Sequence, residues 1–158
     1  MPNPPTWNED FVDVVRALDD AGADFLIVGA HAMALHGVPR ATGDLDILVR
    51  PTAENATRVF AALVAFGAPV AAHGVSVRDF ETPGNVYQLG LPPRRIDVLT
   101  QISGVSFDEA WSSRQKAQLH GLSVAFLGRE TLLKNKRATG RPKDQVDVQL
   151  LERRDGNA

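Results

Sequence analysis

The chain has no cysteine among its 158 residues, which removes disulfides and thiolate metal sites together. Any metal it holds must sit on oxygen or imidazole nitrogen. Aromatic residues make up only 6%, too few for a convincing base-stacking platform, and no segment reads as a recognisable RNA-binding module. No Lys or Arg precedes Arg16, and no long apolar run occurs. Both facts argue against a secretory signal or a membrane span, so the cytoplasm is the expected location. The net charge is −2, which argues against bulk coating of nucleic acid. No repeat, low-complexity tract or interdomain linker interrupts the chain. With 44% hydrophobic and 23% charged residues, it has the composition of one globular domain.

The charge that is present is unevenly spread. Glu9, Asp10, Asp13, Asp19, Asp20 and Asp24 crowd the start against a lone Arg16. Arg129, Lys134, Lys136, Arg137, Arg141 and Lys143 crowd a late segment against Glu130.

Residues 1–6, with their prolines, read as a flexible tail and residues 7–154 as the domain. Phe11, Val14, Val15 and Leu18 follow the i, i+3, i+4, i+7 spacing of a helix with one buried stripe. Asp24 to Val28 predicts a strand, His31 to Gly37 a helix and Gly43 to Val49 a second strand. Pro51-Thr52 opens a helix to about Phe66, with Val59, Phe60, Leu63 and Val64 toward the sheet. Val75 to Gly84 reads as a strand and loop. Val86 to Leu91 and Arg95 to Leu99 form a hairpin through Pro92-Pro93. Ser106 and Glu109 form a capping box before a short helix holding Trp111. Gln115 to Leu119 and Leu122 to Phe126 flank His120-Gly121 as another hairpin. A helix from Glu130 to Ala138 closes at Gly140, and Pro142 opens the last one, to about Arg153. The expected fold is α/β (α+β), a mixed β-sheet flanked by helices in a single domain.

Asp44-Leu45-Asp46 is the most informative triplet. On a strand its acids share one face, about 7 Å apart along the chain, while Leu45, Ile47 and Val49 take the other. Like charges side by side destabilise a strand unless a cation lies between them. The pair therefore reads as a site for a divalent ion, and all-oxygen donors suit magnesium or manganese. The bland alternative is a solvated strand face. Upstream, an apolar strand breaks at Gly29-Ala30 into a helical run. That arrangement presents unpaired backbone N–H groups to a phosphate. His31 at the helix start can reach a phosphate or cap the helix, and His36 is structural. Arg40, with Thr42, is a candidate phosphate contact or a solvated turn arginine.

Strand, Gly-small, helix, then Asp-x-Asp on a strand resembles the polymerase-β-type nucleotidyltransferase superfamily. The wording Arg-Ala-Thr-Gly-Asp-Leu-Asp, Ile-Asp-Val-Leu-Thr and Asn-Lys-Arg-Ala-Thr-Gly-Arg-Pro-Lys-Asp is similar to small bacterial nucleotidyltransferase-fold proteins related to abortive-infection type toxins. The resemblance runs from Phe25 to Leu151. It implies a third carboxylate on a neighbouring strand, for which Asp97 in Arg95-Ile96-Asp97-Val98 is the candidate. It also implies catalysis and metal binding by Asp44, Asp46 and Asp97, with two ions roughly 3.5–4 Å apart. The implied reaction moves an NMP from an NTP, such as ATP, to a hydroxyl of tRNA, protein or a small molecule, and releases pyrophosphate. Asp97 could also accept the hydroxyl proton. The late Lys-rich stretch recurs in that family, which places Lys136, Arg141 and Lys143 beside the nucleotide. The bland alternative for Lys143 is a pair with Asp147 one turn on, and for Asp144 a stabilised helix start. The superfamily usually has Gly-Gly or Gly-Ser at Gly29-Ala30. Ala30 offers no hydroxyl to a triphosphate, although its backbone N–H remains.

The main alternative is a catalytically weak nucleotide-binding protein, or a toxin–antitoxin component with an antitoxin partner, on the same fold. A haloacid-dehalogenase-like phosphatase would place its apolar run before the acids, whereas here it follows them. A metal-dependent glycosyltransferase would need more chain for two subsites. No membrane partner is expected.

Overall fold

The computed structural model describes residues 7–156, with side chains to residue 154; the expected tail at residues 1–6 lies outside the described residues. The chain runs α1 (Glu9–Asp20), β1 (Phe25–Val28), α2 (Gly29–Leu35), β2 (Asp44–Val49), α3 (Ala53–Phe66), α4 (Val77–Glu81), β3 (Val86–Leu89), β4 (Arg95–Leu99), α5 (Phe107–Ser112), β5 (Gln115–Leu119), β6 (Leu122–Phe126), α6 (Arg129–Thr139) and α7 (Pro142–Gly156). The expected mixed α/β fold is thus observed. One six-stranded sheet has the order β3-β4-β2-β1-β6-β5. Three antiparallel pairs, β1 with β2, β3 with β4 and β5 with β6, are joined by parallel contacts between β2 and β4 and between β1 and β6.

Period-two alternation sends the strand residues to two cores. Phe25, Ile27, Leu45, Ile47, Ile96 and Val98 pack with Phe11, Val14, Val15 and Leu18 of α1 and with Val59 and Leu63 of α3. Leu26, Val28 and Leu48 pack on the other side, with Met33 of α2, Leu132 and Leu133 of α6, and Val148 and Leu151 of α7. Asn8 caps α1 by accepting from Phe11 N at 3.1 Å. Thr52 does the same for α3 through Asn55 N at 3.3 Å, and Gly67 and Gly140 end α3 and α6 in the left-handed conformation. Among the described residues no helix is long and apolar enough to cross a membrane.

Three local expectations need correction. Val75 to Gly84 is not a strand and loop: Ser76 and Asp79 form a reciprocal capping box that opens α4. Val64 is 53% exposed instead of facing the sheet, because the buried stripe of α3 runs through Asn55, Ala56, Val59, Ala62 and Leu63. The β3 strand stops at Leu89, where Gly90 takes φ +80° and Leu91 turns to solvent before the cis Pro92-Pro93 bond.

Candidate active site

The parallel register of β2 and β4 sets Asp44 opposite Arg95 and Asp46 opposite Asp97. Alternation then turns all four side chains to one face, that of Leu48 and Leu99. This face is apolar at one end and charged at the other. One carboxylate oxygen from each of Asp44, Asp46 and Asp97 can be chosen so that all lie within 4.8 Å of one another. Asp97 is buried, whereas Asp44 and Asp46 are half-buried. Like charges this close need compensation. Burial, then the charges of Asp97 and Asp44, push Asp46 up to about 7, and the Arg95 guanidinium offsets only part of this. The donors are all oxygen, they converge, and they are short of positive charge, which is the chemistry of a hard divalent ion.

Gly29 belongs to the same site by geometry. Its φ is +69°, and a Cβ built on it would stand 2.2 Å from Asp46 Oδ2. Only glycine satisfies both the backbone and the space. A cavity of about 340 Å³ opens beside it, lined by Gly29, Ala30 and Asp46 on the sheet side. Lys136, Thr139, Arg141, Lys143 and Asp144 line it from the α6–α7 turn. The predicted phosphate cradle, one of the acids and the late basic residues therefore share one hollow.

The remaining candidates stand elsewhere. His31 is buried: Trp7 Nε1 donates to its Nδ1 at 3.1 Å, and Trp7 and Phe11 pack edge-on against the ring. Its own proton is thereby confined to Nε2, near the Asp44 carbonyl but outside normal hydrogen-bond geometry. Desolvation lowers its pKa and so favours the neutral imidazole. His36 donates from Nε2 to the Leu127 carbonyl at 2.9 Å, a structural bond as expected. Arg40 forms an ion pair with buried Asp147. Thr42 Oγ1 accepts from Asp44 N at 3.1 Å and fixes the entry to β2.

Two contributors were not read from the sequence as site residues: Arg95, and Asp144, which was read only as stabilising a helix start. Arg95 Nη2 donates to Asp44 Oδ2 at 2.6 Å and to Asp97 Oδ2 at 3.0 Å, and its Nε donates to Asp97 Oδ1 at 3.0 Å. The signal was available: Arg95 stands two residues before Asp97 on the same strand and so shares its face. Asp144, with a side chain only 2% exposed, gathers Lys136 Nζ at 3.2 Å, Arg141 Nε at 2.7 Å and Thr139 Oγ1 at 2.6 Å. Lys136 also reaches Asp147 at 3.1 Å. The cations of Asp147 are thus Lys136 and Arg40, not Lys143.

This architecture is the nucleotidyltransferase fold. A Thermotoga maritima protein proposed to be a nucleotidyltransferase superposes with a TM-score of 0.59, at 15% identity over 91% of this chain and 93% of that one. ANT(2")-Ia in complex with adenylyl-2"-tobramycin gives 0.56 at 16% identity, over 89% of this chain and 84% of that one. The solution structure of the antibiotic-resistance factor ANT(2")-Ia gives 0.57 at 14% identity, over 90% and 80%. At such identities the likeness establishes the fold. No protein-family profile and no curated protein matches the chain.

Proposed function

We propose that this protein is a metal-dependent nucleotidyltransferase that moves an NMP from an NTP to a hydroxyl and releases pyrophosphate. The supporting observation is the junction of two opposite charges. The converging oxygens of Asp44, Asp46 and Asp97 meet, at Asp46, a cavity whose far wall carries Lys136, Arg141 and Lys143. In this reading Asp44, Asp46 and Asp97 hold magnesium or manganese, which when bound supplies neutralisation of the phosphates and acidification of the acceptor hydroxyl. Gly29 and Ala30 let the triphosphate approach the backbone at the start of α2. Lys136 and Arg141 face its charge from across the cavity, with Lys136 held by Asp144 and Asp147. ATP is the first nucleotide to try. A small hydroxylated molecule is the first acceptor to try, because one fold neighbour was captured with an adenylylated tobramycin; tRNA and protein hydroxyls follow.

The second reading, nucleotide binding without transfer by a toxin–antitoxin component, is favoured by one observation: Ala30 brings no hydroxyl to the cavity. Incubation with each α-labelled NTP, magnesium and a cell extract separates the two. A labelled product, lost in Asp46→Asn, supports transfer. Saturable NTP binding with no product and no pyrophosphate supports the second reading. Absence of NTP binding overturns both.

A further inference from the structure

The sheet acids already hold a cation. The fork of Arg95 binds Asp44 and Asp97 together, with one nitrogen, Nη2, touching Oδ2 of each. A nitrogen hydrogen-bonded to two carboxylate oxygens occupies the space that an ion bridging the same oxygens would take. Its charge would also repel that ion at very short range. Arg95 cannot share the triad with a divalent cation in this position.

We propose that Arg95 is a displaceable placeholder: its guanidinium and a divalent cation compete for the same oxygens of Asp44 and Asp97, and the ion enters only as Arg95 leaves the triad. This rests on the reading of the triad as a divalent-metal site. Arg95 offsets part of the repulsion before the ion arrives by bonding Asp44 and Asp97, while Asp46, directly opposite Asp97 in register, has no bond from it. Its side chain is 28% exposed, so it can swing toward solvent without opening either core. It is not needed to tie β2 to β4, which are already in parallel register from Asp44 to Leu48. The consequence is a threshold: ion uptake is weaker than the triad alone would give, and it is coupled to release of a flexible cation at the rim of the site.

The test uses the intact chain. In ¹⁵N-labelled protein the Arg95 Nε–H resonance, assigned by its loss in Arg95→Lys, should be protected from exchange without divalent ions. Saturating magnesium should abolish that protection and move the resonance to the position of a free arginine. By calorimetry with manganese, Arg95→Gln should bind at least tenfold more tightly than wild type, and Arg95→Lys should fall between them. A resonance that stays protected while the ion binds would overturn the proposal and leave the metal site standing, with Arg95 a fixed strut. Manganese affinity in Arg95→Gln equal to or below wild type would do the same. No divalent binding by wild type or either variant overturns the proposal and the metal reading together. Should Arg95→Gln not fold, the wild-type resonance and the Arg95→Lys affinity decide.

Discussion

Two groups of carboxylates are built into this fold, and they are balanced in opposite ways. Asp144 and Asp147, one helical turn apart on α7, are both buried. Lys136 bridges them, Arg40 pairs with Asp147, and Arg141 and Thr139 bond Asp144. Burial by itself would raise Asp144, but the bonds from Thr139, Arg141 and Lys136 outweigh it and hold the acid down at about 2. Asp44, Asp46 and Asp97 can bring one oxygen each within 4.8 Å of one another and have Arg95 as their cation. There the balance fails, and Asp46 is pushed up to about 7. The first group is complete within the protein and sets the geometry of the α6–α7 turn. The second is left with uncompensated like charge, the feature that the proposed ion would neutralise. Acid clusters alone do not distinguish structure from function; the local charge balance does.

The sharpest way to break this contrast is Asp46→Asn. Under the proposed reaction, transfer should fall at least about 100-fold, or ~2.7 kcal/mol of transition-state stabilisation. Without divalent ions the variant should melt no lower than wild type, because a repelling charge is gone. Manganese should raise the melting temperature of wild type and not of the variant, since an ion stabilises only the state that binds it. An Asp46→Asn protein with full activity would place the chemistry elsewhere.

The balanced group should respond in stability. Asp147→Ala leaves the partly buried Lys136 and Arg40 without one of their carboxylates. Breaking such a pair from one side costs about 3 kcal/mol. For a domain of this size that lowers the melting temperature by about 6–12 °C. A loss under about 1 kcal/mol in denaturant unfolding would show that solvent compensates the cluster.

Asp144 gives the matching pH dependence. Its folded pKa of about 2 lies below the ordinary carboxylate value, so the folded state favours the ionised form. The contribution, on the order of 2 kcal/mol, is fully present above the unfolded pKa of about 4 and is lost as pH falls toward about 2. Urea unfolding of wild type and Asp144→Asn between about pH 5 and about pH 2.5 should show the gap between them shrinking as pH falls. A constant gap would mean that Asp144 does not titrate in that window.

Much of the sheet site was legible because it depends on short-range periodicity. Asp44 and Asp46 declare their shared face by alternation, and Gly29 marks the one position where β1 must turn sharply into α2. The Asp97 candidate rested on family resemblance, and only the β2–β4 register shows that it stands across from Asp46. Arg95 was missed because its partner Asp44 lies on another strand, 51 residues away. His31 offered two readings at the helix start; the contact that fixes its ring comes from Trp7, 24 residues earlier. The α4 capping box of Ser76 and Asp79 was local and readable, yet the expectation for Val75 to Gly84 was a strand and loop. The Asp144–Asp147 network depends on how α6 folds back on α7, which no local pattern specifies. That is why Lys143, and not Lys136 or Arg40, looked like the partner of Asp147.

Arg141 and Lys136 provide the finest test, because they line the same cavity while standing differently toward the balanced acids. Arg141 is 71% exposed and adds a third bond to an Asp144 that keeps Lys136 and Thr139 without it. Lys136 is 13% exposed and joins Asp144 to Asp147. Arg141→Ala should therefore act on the ligand and spare the fold: the apparent NTP requirement should rise about tenfold, or ~1.4 kcal/mol, with a melting temperature within about 2 °C of wild type. Lys136→Ala should raise the NTP requirement and also lower stability, because two buried carboxylates lose their shared cation. Calorimetric titration with NTP and calorimetric melting of both variants separate the effects. If Arg141→Ala binds NTP as wild type does, Arg141 belongs with the structural acids and the phosphate-facing wall reduces to Lys136 and Lys143. If it lowers stability as far as Lys136→Ala does, the α6–α7 turn depends on every one of its cations, and the division between a balanced structural group and an open ligand site does not extend to this wall of the cavity.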